Sequence, residues 1–472
     1  MTSIQRRPAV HERENVGMTD KTPTTTSRST LLSSRDNVPL CPDLFRPYVQ
    51  RLGALLDAGV REGSQLKQME LEAALDGQPS RELRKLYTTE SLRNTGTYFT
   101  GSKLAHRLVN THKRNLRNVE WVVDPACGAG DLLVACALHL PMQSDLSSTL
   151  RDWGMKLAGF DVNSAFVEAT RYRLALLALR RSTITNRSFD KSVLHDLFPH
   201  IRSGSGMEDW KLPHRPSLIV VNPPFSYGEA TRDCGWGSGR VSQAALFMDS
   251  CVKNAASGAR ILAILPDVLR TGTRYERWRK MIAEGSRICS VRMGGRFDEL
   301  TQVNVFLLEL EVGQSVKGRP FGWARPARMD QRTVKDLFDV RVGPVVPFRL
   351  NGAGSWSPYA HLETLPPWQT VSALNQHIRF SGTTYKAPFV TIRRTSKSDC
   401  QFRCVGTIVA GKASIAVENH LLVAIPHDKR LKTCKKLLGL LKLNSTSEWM
   451  NKRICCRHLT VSSVGDLPWI ED

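Results

Sequence analysis

Between residues 119 and 312 the chain alternates short, densely apolar runs with longer stretches whose apolar positions recur at helical spacing. The series runs "VEWVVD" then "GDLLVACALHL", "KLAGFD" then "NSAFVEATRYRLALLAL", "SVLHD", "SLIVVN" then "SQAALFMDSCVKNAA", "ARILAILP", "RICSVRM" and "VNVFLLELE". Apolar runs of four to eight residues rich in β-branched side chains are the signature of strands buried on both faces, and the interleaved stretches fit covering helices. Alternation of this kind predicts an α/β fold with a mostly parallel, seven-stranded sheet. The last two strands are separated only by "GGRFDELTQ", too short for a parallel crossover, so an antiparallel hairpin is expected at one end.

The flanks carry a different pattern. Residues 1–40 are rich in Ser, Thr, Arg and Pro, have little to bury, and are expected to form a disordered tail. Residues 41–95 space their apolar positions helically, as in "LFRPYVQRLGALLDAGV", and predict a helical lead-in to a catalytic domain over 96–315. Residues 316–472 are irregular, with Pro, Gly and Trp clusters, short strand-like runs such as "APFVTIRRT", and the basic helical stretch "DKRLKTCKKLLGLLKL". They read as a separate carboxyl-terminal α+β domain.

Composition narrows the class. No apolar run in the 472 residues approaches the roughly 18 to 20 needed to span a bilayer, the amino terminus shows no signal-peptide core, and a cytoplasmic address is expected. Eleven cysteines without a regular framework fit reduced thiols, and Cys400, Cys404, Cys455, Cys456 and His458 match no zinc-site spacing, so no metal is expected. Lys and Arg outnumber Asp and Glu by 66 to 44, an excess that favours a polyanionic partner. Residues 321–472 hold 22 of the basic and 11 of the acidic side chains, so this third of the chain carries half of the excess. A generally basic surface would give the same totals.

Candidate chemistry sits where the strands end, the edge at which open α/β sheets bind ligands. The first strand delivers "DPACGAGD", residues 124–131, in which Gly128 and Gly130 permit a tight turn and close approach of the backbone to a ligand. The flanking Asp124 and Asp131 discourage a phosphate and suit a cationic or hydroxyl-rich molecule. The second strand ends at Asp161, placed to accept from both hydroxyls of a ribose. The third is expected to end at Asp196, placed to accept from an exocyclic amine. The fourth leaves the sheet through Asn222, Pro223, Pro224 and Phe225, where the prolines forbid both extension of the strand and an immediate helix. Taken singly, each aspartate is as well explained as a helix cap or a turn residue, and "NPPF" as a strand stop.

Together, "DPACGAGDLL" followed by "NPPF" resembles the cofactor and catalytic motifs of the S-adenosylmethionine-dependent adenine-N6 DNA methyltransferases. Upstream, "GTYFTGSKLAHRLV", residues 96–109, resembles the family's GxYFTP motif, with Gly101 in place of the proline, a change expected to loosen the turn. This order of motifs resembles the gamma arrangement found in restriction-modification methylases, in which a carboxyl-terminal region recognises the target.

The resemblance implies a Rossmann-like methyltransferase fold and S-adenosyl-L-methionine as cofactor, bound by Thr97, Tyr98, Phe99, Thr100, Asp124, Pro125, Ala126, Cys127, Gly128, Gly130, Asp131, Asp161, Asp196 and Asn222. It implies that the Asn222 side-chain oxygen and the Pro223 carbonyl accept from adenine N6, that the prolines fix that carbonyl, and that Phe225 stacks on a base flipped out of the duplex. The glycine-rich "SYGEATRDCGWGSGR" after the motif is too polar for core and reads as a mobile loop near that base or as an ordinary surface loop. The partner implied is double-stranded DNA, contacted by Arg393, Arg394 and Lys397 in "TIRRTSK", with a cognate restriction endonuclease or specificity subunit beyond it. Enzymes methylating protein glutamine or ribosomal RNA amines also carry NPPF-type motifs, and a non-catalytic DNA-binding subunit could keep the fold, so those alternatives stay open.

Overall fold

The computed structural model describes residues 40–470 apart from 62–64, 183–188, 209, 231–233, 299–302, 314–321, 324–330 and 398–399. The expected disordered tail over 1–40 thus lies outside the described residues except for Leu40, which packs against the core.

The centre is a seven-stranded sheet whose strands are numbered here in chain order: β1 Val122–Asp124, β2 Leu157–Asp161, β3 Ile201–Ser203, β4 Leu218–Val221, β5 Arg260–Pro266, β6 Ser286–Arg296 and β7 Asn304–Val312. They lie in the order β3-β2-β1-β4-β5-β7-β6. The first five pair in parallel, whereas β7 runs antiparallel to both β5 and β6. This is the mixed α/β sheet with an antiparallel end that the alternation predicts. The order reverses between β1 and β4, and a crevice must open at the carboxyl ends of these two neighbours because their connections leave to opposite sides.

Each face of the sheet has its own apolar core. One gathers Leu132, Leu133, Trp153, Phe166, Leu174 and Leu262, together with Phe45, Tyr48 and Leu52 from helix Pro42–Arg61. The other gathers Val123, Ile219, Val221, Met248, Trp278 and Phe306. Adjacent residues of one strand enter different cores, Val122 the first and Val123 the second, as the two-residue period of a buried strand requires.

The third strand is displaced from its expected place. "SVLHD" forms a 3-10 turn, Lys191–Val193, and a helical turn, Leu194–Leu197, and the strand beside β2 is Ile201–Ser203. The Asp190 carboxylate accepts from the Ser192 N–H and starts a helical turn before any extended run can form.

Beyond residue 331 two further sheets build the carboxyl-terminal part. A five-stranded sheet runs Phe338–Val342, Leu421–Pro426, Phe389–Arg393, Gly406–Val409, Thr370–Val371, with helices Leu431–Leu441 and Asn444–Arg453 contributing to its core. A four-stranded sheet runs His377–Phe380, Ser355–Ala360, Ser414–Val417, Tyr385–Lys386. No helix among the described residues is long and apolar enough to cross a membrane.

Candidate active site

At the carboxyl ends of β1, β2 and β4 lies a cleft of about 560 Å³, lined among others by Thr97 to Thr100, Asp124 to Ala129, Asp131, Asp161, Gly204 to Met207, Asn222 and Pro224. Most of the expected site residues therefore meet in one space, although they come from segments more than a hundred residues apart.

The glycine turn is shaped by two positive-φ residues. Gly128 has φ 52° and lies against Phe99, so a Cβ there would sit 3.0 Å from the ring. Gly130 has φ 87° and faces away from the cleft, where a Cβ would meet Thr170 at 2.7 Å. Only glycine reaches such angles without strain while allowing this approach. Asp124 is buried, its carboxylate accepts from the Ala126 N–H at 3.1 Å, and burial pushes its pKa well up.

Asp161 caps the opposite wall. Its two oxygens accept from the backbone N–H groups of Asn163, at 2.8 Å, and Gly128, at 3.1 Å. Burial pushes its pKa up to about 6, against the pull of these donors on the ionised form. Asn163, rather than Asp161, caps helix Ser164–Arg181 by accepting from Ala165 and Phe166, which leaves Asp161 facing the cleft without a cap role.

Asp131 holds the wall together. It pairs at 2.8 Å with Arg173, which is fully buried, and it accepts from the Gly101 N–H at 2.7 Å. Arg173 also donates to the Ala74 carbonyl at 2.8 Å and to that of Ala129. The expected loosening at Gly101 is overturned: its φ of 71° is closed to proline, and the N–H that proline lacks ties the turn to Asp131.

Asn222 completes the site. Its Nδ2 donates to the Tyr98 carbonyl at 3.1 Å and to Thr100 Oγ1 at 3.0 Å, and its Oδ1 is buried without a partner. The Tyr98 carbonyl can only accept, so the amide is oriented with its oxygen free. The next residues follow a rigid path: Pro223 is buried, Pro224 lines the cleft, and the Phe225 N–H donates to the Gly96 carbonyl at 3.3 Å. The Phe225 ring packs 5.4 Å from Phe297 and 6.1 Å from Tyr98.

Asp196 is a correction. It stands on the helical turn Leu194–Leu197 with its side chain 83% exposed, outside the cleft. Its expected place at the end of β3 is taken by Gly204, Ser205, Gly206 and Met207. A Cβ on Gly206 would overlap the Pro125 carbonyl, 1.7 Å away, so this glycine lets the third loop close on the first. The "SGSG" of residues 203–206 is the signal that could have located it. Leu40, Pro42, Phe166, Gln243 and Phe247 on the cleft wall and Phe297 behind Phe225 carry no local motif and are not legible in the sequence.

The glycine-rich segment after Phe225 forms a short hairpin, Tyr227–Glu229 with Arg240–Ser242, and residues 231–233 within it lie outside the described ones. Trp236 is buried in the core and donates to Asp249, so part of this stretch is core, against the expectation that it is too polar for that. Arg393 and Arg394 are half-buried, Arg394 donating to the Asn419 carbonyl at 3.3 Å, and Lys397 is exposed. Among the described residues no group of three or more His, Cys, Asp or Glu is placed to hold a metal ion.

No curated protein matches the chain. Among solved structures, the type IIL restriction-modification enzyme MmeI in complex with DNA is 12% identical, covering 83% of this chain and 71% of its own, with a TM-score of 0.49. The type IIG restriction endonuclease BpuSI is 13% identical over 82% of this chain and 61% of its own, with a TM-score of 0.40. A type I restriction-modification methyltransferase subunit from Streptococcus thermophilus is 15% identical over 50% and 48%, with a TM-score of 0.35, so this chain spans about half of that subunit. The sequence profile of the N-6 DNA Methylase family matches residues 83–310. That match takes in the YFT segment, the glycine turn, Asp161 and Asn222 to Phe225, so the central region of the chain is similar to the N-6 DNA methylase family.

Proposed function

We propose that this chain is a site-specific DNA methyltransferase that moves a methyl group from S-adenosyl-L-methionine to adenine N6 in double-stranded DNA, as the modification enzyme of a restriction-modification or phage-defence system. The observation that carries the reading is the spare, buried Oδ1 of Asn222 at the rim of the cleft. A buried carbonyl oxygen without a donor costs about 1–3 kcal/mol, and an incoming amine hydrogen offsets it.

The residues present fit the cofactor. Asp161 would accept the ribose hydroxyls, the Gly128 turn would admit the backbone close to the ligand, and the carboxyls of Asp124 and Asp161 on the wall disfavour an anionic group. When bound, S-adenosylmethionine would supply an electrophilic methyl on a sulfonium, with the neutral thioether as leaving group and the N6 proton passing to solvent. Adenine N6 is a weak nucleophile because its lone pair is delocalised into the ring. Asn222 Oδ1, held in place by Tyr98 and Thr100, would accept one N6 hydrogen and localise the pair on nitrogen, and by family resemblance the Pro223 carbonyl would take the other. Orientation and fixed dipoles supply the catalysis. Flipping the base out of the duplex costs about a few kcal/mol, and Phe225, backed by Tyr98 and Phe297, offers an aromatic surface near it.

The test offers DNA, ribosomal RNA and protein side by side to the purified protein with labelled methyl donor. DNA should be labelled at adenine. Asn222→Ala should lower transfer by at least a hundredfold, with a much smaller loss of cofactor affinity, measured by calorimetry, because Asn222 also lines the cofactor cleft. Label on protein or ribosomal RNA alone would replace the reading with a glutamine or RNA-amine methyltransferase, and cofactor binding without transfer to any of the three would leave a binding subunit.

A further inference from the structure

The four-stranded sheet of the carboxyl-terminal part does not hold its first two strands along their full length. Ser355–Ala360 pairs with His377–Phe380 from Ser355 to Pro358, but with Ser414–Val417 only at Tyr359 and Ala360. Residues 355–358 and 377–380 are therefore a two-stranded ribbon extending past the sheet. One of its faces is closed: Ile378 and Phe380 pack on the cluster of Val345, Tyr359 and Ala416. The other face is open. Trp356 stands directly opposite Arg379 in the register and Pro358 opposite His377, and Trp356 is 66% exposed.

An indole left this exposed offers a large apolar face to a partner. The Arg379 guanidinium lies over the Trp356 ring, 5.6 Å from its centroid. The same pairing recurs on the turn Pro347–Arg349, where Phe348 is 84% exposed and Arg349 lies 5.7 Å over its ring. Neither Arg349 nor Arg379 is ion-paired among the described residues, whereas Arg341 nearby is paired with Asp339 at 2.7 Å. Charge points the same way: between residues 340 and 397 there are seven Lys and Arg against one acidic residue, Glu363. Uncompensated guanidinium groups beside exposed aromatic rings, in a strongly basic segment, fit a partner that is both anionic and rich in planar groups.

We propose that the open face of the 355–380 ribbon, with Trp356 and Arg379 at its centre, enters the major groove of double-stranded DNA and reads the target sequence. This rests on the methyltransferase reading and moves the recognition element away from Arg393 and Arg394, which are half-buried. The major groove admits a two-stranded β-ribbon, and the paired donors of an arginine match the O6 and N7 acceptors of guanine. Trp356 presents an apolar face to a thymine methyl or to the groove wall and holds the guanidinium flat. The exposed lysines of helix Leu431–Leu441, Lys432, Lys435 and Lys436, can contact phosphates but cannot distinguish bases.

The experiment uses the full chain. Adenine methylation is mapped by single-molecule sequencing in cells expressing the wild type, Arg379→Ala, Arg379→Lys, Trp356→Ala or the triple alanine variant at Lys432, Lys435 and Lys436. Affinity for a duplex bearing the mapped site and for a scrambled duplex is then measured, with cofactor binding as the folding control. Arg379→Ala and Trp356→Ala should weaken the cognate duplex roughly five- to a hundredfold, narrow its lead over the scrambled one and relax or abolish the methylated motif. Arg379→Lys, which keeps the charge but not the fork, should lose the same discrimination. The lysine variant should weaken both duplexes alike and keep the motif. Unchanged cognate affinity and an unchanged motif in the Arg379 and Trp356 variants would overturn the proposal while leaving the methyltransferase reading intact, and would release the ribbon for a protein partner. A wild type that methylates no DNA would overturn both.

Discussion

Asp161 and Asn222 do their work through opposite kinds of hydrogen-bond bookkeeping. Asp161 already accepts two backbone N–H groups and keeps further lone pairs for the cleft, whereas Asn222 spends both its donors and keeps an oxygen. Their response to pH should differ accordingly, since only Asp161 titrates. Burial places its pKa at about 6. Above that value both carboxylate oxygens can accept, as the proposed ribose contact requires; below it one oxygen becomes a donor. Affinity for S-adenosylmethionine, measured by calorimetry from pH 5 to 8, should fall as the pH drops through about 6, and Asp161→Asn should show no such step. Stability runs the other way. The unfolded carboxyl titrates at roughly 4, so the folded form holds the proton more tightly, and this group's contribution is fullest at low pH and declines as the pH rises through about 6.

At the level of elements, the wall of the cleft depends on one chain of contacts from the Gly101 turn through Asp131 to Arg173 and on to the end of helix Gln65–Leu75. Helix Asp131–Ala137 is short, and its first residue is anchored from two sides. Gly101→Pro would place the residue usual in the family motif where φ is 71° and would remove the N–H that binds a carboxylate. It should destabilise the protein by roughly 3 kcal/mol or more, while Gly101→Ala, whose Cβ meets nothing within 4 Å, should cost only the backbone strain of about 1–3 kcal/mol. Denaturant midpoints of the two variants check this; equal losses would mean that the hydrogen bond contributes nothing.

On the scale of the whole molecule, the carboxyl-terminal part is joined to the sheet by a buried polar junction beside β5 and β7. Asp267 and Arg270 form an ion pair at 2.7 Å, both nearly inaccessible to solvent. Asp267 accepts from the Cys455 N–H at 2.9 Å, Arg270 donates to the Arg453 carbonyl at 3.4 Å, and Asn304 donates to that of Cys455 at 2.6 Å. Trp323 packs against Trp278 and Phe306 close by. Removing one member of a buried pair strands the other, so Asp267→Ala should cost roughly 3–5 kcal/mol in chemical unfolding at an unchanged slope. A loss under about 1 kcal/mol would show that the two parts stand independently. The same junction means that a chain cut near residue 315 uncovers apolar and charged surface, and point variants are the cleaner probe of recognition.

The sequence by itself determined the alternation of strands and helices, the antiparallel end, the glycine turn and the Asn222 to Phe225 exit, because each is written in neighbouring residues: a two- or fourfold apolar period, a glycine at positive φ, two prolines after a strand. Tertiary structure decided what has no local signature. The choice of Ile201–Ser203 over "SVLHD" as the third strand was set by pairing with β2 and by the Asp190 turn, which moved Asp196 to the surface and brought Gly204 to Met207 into the cleft. The role of Gly101 depended on Asp131, thirty positions away. Orientation of the Asn222 amide was set by acceptors on a segment more than a hundred residues upstream, and the pairing of Trp356 with Arg379 by strand register. A carboxylate's burial, an amide's spare oxygen and the free face of a ribbon are properties of surroundings, and surroundings are assembled only when distant segments pack.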